Sequence, residues 1–124
     1  MKVSQVMTKQ PKVISADETV LNAAQQLAQK GIGMLPVSKD DRLVGVLTDR
    51  DIVVRVVAES RDPAKTTIGS VISGQPKYCF EDEDTEHVAR NMDELLIRRL
   101  PVMNRDKRLV GIVSLEDIRP RKAS

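Results

Sequence analysis

Two short stretches of this chain place a hydroxyl three residues ahead of a carboxylate. Thr48 and Asp51 stand in "GVLTDRD", which begins at Gly45, and Ser114 and Asp117 in "GIVSLED", which begins at Gly111. At the mouth of a helix this spacing makes a capping box. The hydroxyl accepts from the N–H three residues on, and the carboxylate accepts from the N–H of the hydroxyl residue. The same atoms also suit a ligand. A helix start offers unpaired N–H groups to a phosphate, and the hydroxyl adds a donor. An ionised carboxylate one turn in offers two acceptor oxygens, which match the paired hydroxyls of a ribose. Spacing alone leaves both readings open.

The cations available to a phosphate are Arg50, inside the first motif, and Arg98 and Arg99, which precede "LPV" in the second half. In a strand Arg98 and Arg99 point to opposite faces, so one of them can reach a cleft. Metal chemistry has little to work with. One cysteine, Cys79, and one histidine, His87, leave no Cys/His cluster with ligand spacing, and no metal site is expected. Cys79 reads as an apolar strand residue before a reactive thiol, and His87 as a surface residue. Neither a catalytic dyad nor a phosphate-transfer loop is visible, so the chain is expected not to be an enzyme.

Composition narrows the class. Apolar residues make up 40% of the 124 residues but aromatics only 2%, so the core must be built from Val, Ile, Leu, Ala and Met. Charged residues reach 31% with a net charge of +2, too balanced for a nucleic-acid coat, and rings for base stacking are scarce. Nucleic acid is therefore not an expected partner, and "RPRKAS" at the end reads as a frayed basic tail. No apolar run has signal-peptide or membrane-span length. A soluble, cytoplasmic protein is the expectation.

The elements that position the two motifs are written twice. "VSQVMTKQPKVISADET" from Val3 is echoed by "IGSVISGQPKYCFEDED" from Ile68, and "MLPVSKDDRLVGVLTDRDI" by "RLPVMNRDKRLVGIVSLEDI". Pro36 and Pro101 are 65 positions apart but Leu43 and Leu109 are 66 apart, which locates a one-residue insertion in the turn between. The repeats span residues 1–63 and 64–124, with "SRDPAK" as linker. Each is too small to bury a core alone, so the two should pack together. Within a repeat, a short extended segment precedes a helical stripe: Val20, Ala23, Ala24, Leu27 and Ala28 in the first, Val88, Ala89, Met92, Leu95 and Leu96 in the second. Two short apolar runs joined by a turn-rich segment then read as a hairpin. After Thr48, four valines in five residues favour a strand, whereas the capping box favours a helix whose face is Ile52, Val53, Val56 and Val57. A helix is predicted, with Val54 off that face and available to an apolar patch for a partner. Pro120 should stop the second copy of this helix early.

With both repeats on the page, the chain resembles a tandem pair of cystathionine β-synthase (CBS) domains. The resemblance rests on "VMTKQP", "VISADETVLNAAQQLAQKGIGMLPV", "RLVGVLTDRDI" and "IRRLPVMNRDKRLVGIVSLEDI", and covers almost the whole chain. It implies an α+β fold of two β-α-β-β-α repeats packed through their sheets about a pseudo-two-fold axis, with a cleft for each motif. It implies no required cofactor. The expected function is regulatory: binding of an adenosine-containing ligand (AMP, ADP or ATP foremost, otherwise S-adenosylmethionine or NAD(H)), energy sensing, homodimerisation and signalling to a separate effector protein. An alternative is an assembly module whose clefts stay empty. The ligand-binding residues it implies are Thr48, Asp51, Arg50, Ile14, Met34 and Pro36 for one site, and Ser114, Asp117, Cys79, Arg99 and Pro101 for the other. The family often carries a small residue in place of Met34, whose thioether would narrow the first cleft.

Overall fold

The structure is a computed structural model that describes residues 1–31, 33–72 and 76–119. Its strands are β1 (Thr8–Lys9), β2 (Ile14–Ser15), β3 (Met34–Lys39), β4 (Arg42–Thr48), β5 (Cys79–Phe80), β6 (Arg99–Met103) and β7 (Leu109–Ser114). Its α-helices are α1 (Val20–Lys30), α2 (Asp49–Ile52), α3 (Thr85–Leu95) and α4 (Leu115–Ile118).

The chain forms two compact units, and they do not divide where the repeats divide. One is Lys12–Pro76; the other joins Met1–Pro11 to Lys77–Ser124. The leading segment of each expected repeat, 1–63 and 64–124, is held by the body of the other. Val3 N–H donates to Glu83 O (3.0 Å) and Ser4 N–H to Glu81 O (2.9 Å); in the other unit Ile68 N–H donates to Glu18 O and Gly69 N–H to Ala16 O, both at 2.9 Å. Val3 and Ile68 are fully buried. A leading segment both pairs the carbonyls between first strand and helix and supplies an apolar plug, so buried backbone groups there are not left unpaired.

In the unit Lys12–Pro76, β2 pairs parallel with β3, and β3 antiparallel with β4. Thr19 caps α1 through Asn22 N–H (3.2 Å), and Gly31 closes it at φ +61°. Val20, Ala23 and Leu27 are the buried stripe, whereas Ala28 is exposed, so the apolar face is narrower than the sequence suggests. The core joins these to Ile14, Leu35, Val37, Leu47, Val56, Ile68 and Val71. The β3–β4 turn places Asp40 and Asp41 both at positive φ, as a two-residue hairpin turn requires.

The other unit repeats this with β5, β6 and β7, and adds β1 beside β7. Asp84 caps α3 by accepting from Glu86 and His87 N–H. The helix ends at Leu95, and Leu96 takes the left-handed conformation that Gly31 takes in α1. Leu95 and Leu96, expected on the inner stripe, are therefore turned out, 44% and 90% exposed. Val3, Cys79, Val88, Met92, Leu100, Val102 and Val113 form the core.

The segment after Thr48 is helical, but not α-helical throughout. After α2 comes a π-helix, Val53–Val57, closed by Ala58 N–H to Val53 O and Arg61 N–H to Val56 O at 2.9 Å. Bonding five residues apart breaks the 3.6-residue period on which the predicted face rested. Val56 alone is fully buried and Ile52 packs at the core's edge, while Val53, Val54 and Val57 are 59%, 49% and 63% exposed. In the second copy α4 has four residues, and Pro120, the expected stop, lies outside the described residues.

Gly45 and Gly111 occupy the same register, opposite Val37 and Val102, yet face unequal neighbours. A Cβ on Gly111 would meet Met7 Sδ at 2.6 Å and the backbone oxygen of Thr8 at 2.8 Å; one on Gly45 would meet Ile72 Cδ1 at 2.9 Å. A side-chain tip can move and a paired strand cannot. Gly111→Ala should destabilise by about 1–3 kcal/mol and Gly45→Ala by clearly less, read from urea midpoints; the reverse order would contradict this packing.

Candidate functional site

Both hydroxyl–carboxylate motifs form complete capping boxes where a strand hands over to a helix. Thr48 ends β4 with extended backbone, φ −111° and ψ 163°, and α2 starts at the next residue. Asp51 N–H donates to Thr48 Oγ1 (3.1 Å) and Thr48 N–H donates to Asp51 Oδ2 (2.9 Å). Ser114 and Asp117 repeat the pair at the head of α4, again at 3.1 and 2.9 Å. The capping reading of the sequence is therefore realised twice. It uses one oxygen of each carboxylate. Oδ1 of Asp51 and of Asp117, and the hydroxyl protons of Thr48 and Ser114, have no partner among the described residues. Those are the atoms a polyhydroxylated ligand would use. In α4, which has only four residues, the hydroxyl and the carboxylate rather than a long helix dipole would carry the chemistry, whereas α2 continues into the π-helix Val53–Val57.

Cross-strand register decides what stands beside each hydroxyl. Met34 is directly opposite Thr48, and Arg99 is directly opposite Ser114. Residues two apart share a sheet face, so Pro36 joins Met34 and Thr48, and Pro101 joins Arg99 and Ser114. The two places differ in kind. Met34 is buried, and Arg99 is exposed with no hydrogen-bond or ion-pair partner among the described residues. Arg50, inside the first motif, is likewise exposed, and its guanidinium has no partner among the described residues. Its counterpart in the second motif is Glu116, which is bound by Arg98. Sequence reading missed Glu116; carrying the offset of 66 residues through the motif would have found it. Val46 and Ile112, the register partners of Pro36 and Pro101, were missed as well, and strand alternation was their signal.

Ile14 and Cys79 are not brought onto that face. Ile14 pairs with Val37 and Cys79 with Val102, so both turn toward the helix-side cores that contain those valines. Cys79 is 4% exposed, and burial, aided by the Glu83 charge, pushes its thiol up to about 12. It is a neutral core group.

The family model of the CBS domain matches residues 3–58 and 68–122. This chain belongs to the CBS domain family. Hypoxic response protein 1 of Mycobacterium tuberculosis is 39% identical to this CBS pair over 106 residues, 85% of this chain and 73% of that one. A crystal structure of Hypoxic Response Protein I with two coordinated zinc ions matches with TM-score 0.86 and 34% identity, covering 99% of this chain and 100% of that one. The CBS domain pair of protein MJ0100, in complex with 5′-methylthioadenosine and S-adenosyl-L-methionine, matches with TM-score 0.85 and 31% identity over 96% of this chain and 93% of that one. CBSX2 in complex with AMP matches with TM-score 0.81 and 26% identity over 94% and 92%. The expected fold class, α+β with two CBS repeats, is thereby established. For zinc the residues here offer no fit: among the described residues no three His, Cys, Asp or Glu side chains group to hold a metal ion. No described helix is long and apolar enough to cross a membrane.

The Cys79 environment has a measurable consequence. A disulfide-exchange thiol reagent at pH 8 should leave Cys79 unmodified in the folded CBS pair and label it fully in urea; labelling of the folded protein at a free-thiol rate would refute its burial. Because the folded thiol holds its proton to about 12 against an ordinary 9.0, the unfolded chain deprotonates first. This residue's contribution to stability is intact below pH 9 and declines as the pH rises from 9 toward 12.

Proposed function

We propose that this CBS pair is a regulatory module that binds an adenosine-containing ligand at the Thr48/Asp51 and Ser114/Asp117 motifs and passes its occupancy to a partner protein. The observation that carries this is the duplicated motif itself, in which each capping box leaves one carboxylate oxygen and one hydroxyl proton uncommitted. The ligands in the two related complexes, methylthioadenosine with S-adenosylmethionine and AMP, support the adenosyl class. In this reading Asp51 and Asp117 accept from ribose hydroxyls, and Thr48 and Ser114 hydroxyls meet the ligand's polar end. Arg50 and Arg99 neutralise phosphate, while Met34, Pro36 and Pro101 supply apolar surface on the same faces. Ile14 and Cys79, on the opposite faces, contribute backbone rather than side chain. A nucleotide such as AMP, ADP or ATP, sensed as an index of cellular energy in the cytoplasm, and action as a homodimer on a separate effector complete the proposal. The mechanism is a population shift, in which the ligand favours whichever arrangement binds it better.

A second reading is favoured by one observation. Each box is a complete cap, with hydroxyl and carboxylate both bonded to backbone N–H groups, which is all that an assembly module would need of these residues.

Thermal melting with saturating AMP, ADP, ATP, S-adenosylmethionine or NADH separates the two. A ligand at a hundred times its dissociation constant should stabilise the wild type by about 2.7 kcal/mol. Asp51→Asn or Asp117→Asn should diminish that gain. If no compound shifts the wild type while both variants lose only the roughly 0.5–2 kcal/mol of a cap, the assembly reading stands.

A further inference from the structure

The chain has one tyrosine, one phenylalanine and no tryptophan, and its two rings are together. Tyr78 meets Phe80 edge to face, with centroids 5.5 Å apart and planes at 89°. The Arg105 guanidinium lies 4.0 Å from the Phe80 centroid and is held by two hydrogen bonds to Asp82, at 2.9 and 2.7 Å. Phe80 is thus fixed from one side by a cation and touches Tyr78 on its edge, so the Tyr78 ring is braced although 39% exposed. That ring is one wall of a groove of about 200 Å³, roomy enough for one long side chain. Leu95 of α3 is another, and Cys79, Val88 and Leu100 line it in between. All these residues belong to the unit that contains Lys77–Ser124.

The rim is rich in acceptors. Glu94 has no hydrogen-bond or ion-pair partner among the described residues. Glu83 accepts from Phe80 N–H with Oε2 (2.7 Å), while its Oε1 is 3.9 Å from the exposed His87 ring. Among the described residues, Lys77 is the single cation lining the groove, against two carboxylates. The first repeat shows that folding does not need this arrangement. At the matching positions it has Val13 for Tyr78, Gln29 for Glu94, Lys30 for Leu95 and Gly31 for Leu96. Leu96 is the costliest of these replacements, because a leucine is held left-handed at φ 57° while 90% exposed.

We propose that this groove is a docking site for one lysine or arginine side chain presented by a partner protein. The aliphatic stem lies along Val88, Leu95 and Leu100, as long cationic side chains do on apolar surface. The charged head meets the Glu94 and Glu83 carboxylates and the face of Tyr78. Leu95, which lines the groove and is 44% exposed, meets apolar residues beside the inserted cation. The site is separate from the Ser114/Asp117 motif: Cys79 and Leu100, which line the groove, face the helix side of the sheet, opposite to Arg99 and Pro101.

The test is a two-dimensional amide NMR titration of the full chain with a capped pentapeptide, Ala-Leu-Lys-Leu-Ala, and its Gln and Glu analogues at the central position. The Lys peptide should shift the amides of Tyr78, Val88, Glu94 and Leu95 in a saturable way. The Gln peptide should bind at least about tenfold more weakly, and the Glu peptide should not bind. Glu94→Gln, at an exposed site, should keep the spectrum of a folded protein and weaken the Lys peptide at least about fivefold. Leu95→Lys, which installs the residue of the first repeat, should abolish the shifts. Equal binding of the Lys and Gln peptides, no effect of either variant, shifts scattered over the acidic surface, or no binding of the Lys peptide at millimolar concentration would each overturn the proposal.

Discussion

A three-stranded sheet backed by one eleven-residue helix cannot close its own apolar core, and everything else in this CBS pair follows from how that shortage is met. Val3 and Ile68 enter the cores as fully buried plugs, each carried by a leading segment whose N–H groups pair with the carbonyls between first strand and helix. One short segment therefore meets two needs at once, burial of apolar surface and pairing of loop carbonyls. Because each leading segment belongs by sequence to one repeat and by packing to the other, neither repeat is complete by itself.

On that scaffold the two motifs have kept one chemistry and lost another. The hydroxyl and carboxylate are bonded in the same way at both ends of the duplication, with the same distances. Their neighbours have diverged. A buried thioether faces Thr48, whereas an exposed guanidinium faces Ser114, and Arg50 gives way to a Glu116 that is already bound. A dianion beside Met34 would lose hydration against an apolar group, while one beside Arg99 would gain a counter-charge. The two motifs thus share one hydrogen-bond geometry and differ in the charge beside it. The cap and the cradle do not exclude each other, since closing the box leaves half of each carboxylate uncommitted.

Much of this was legible from residue order. The helical stripe of α1 from Val20, both hairpins, both capping boxes and the insertion between the β6 and β7 runs follow from signals within a few residues of each other. Elsewhere local signals misled. A 3.6-residue period puts Ile52, Val53, Val56 and Val57 on one inner face, but a π turn shifts the phase and leaves Val53 and Val57 exposed. Leu95 and Leu96 extended an apolar stripe on paper, but the helix had already closed. The sheet face that Ile14 and Cys79 take, opposite to Met34 and Arg99, follows from register, which no local signal carries.

What the sequence by itself determined is the duplication, the order of elements in each half and the identity of the hydroxyl–carboxylate pairs. All of these depend on periodicity or on contacts three or four residues apart. Only the tertiary structure decided which leading segment fills which core, which residue stands across from each hydroxyl, and that the chain's two rings brace a groove in one repeat. Those facts depend on strand register and on burial between residues far apart in the chain, and a shift of one position in register would turn every side chain of a strand to its other face.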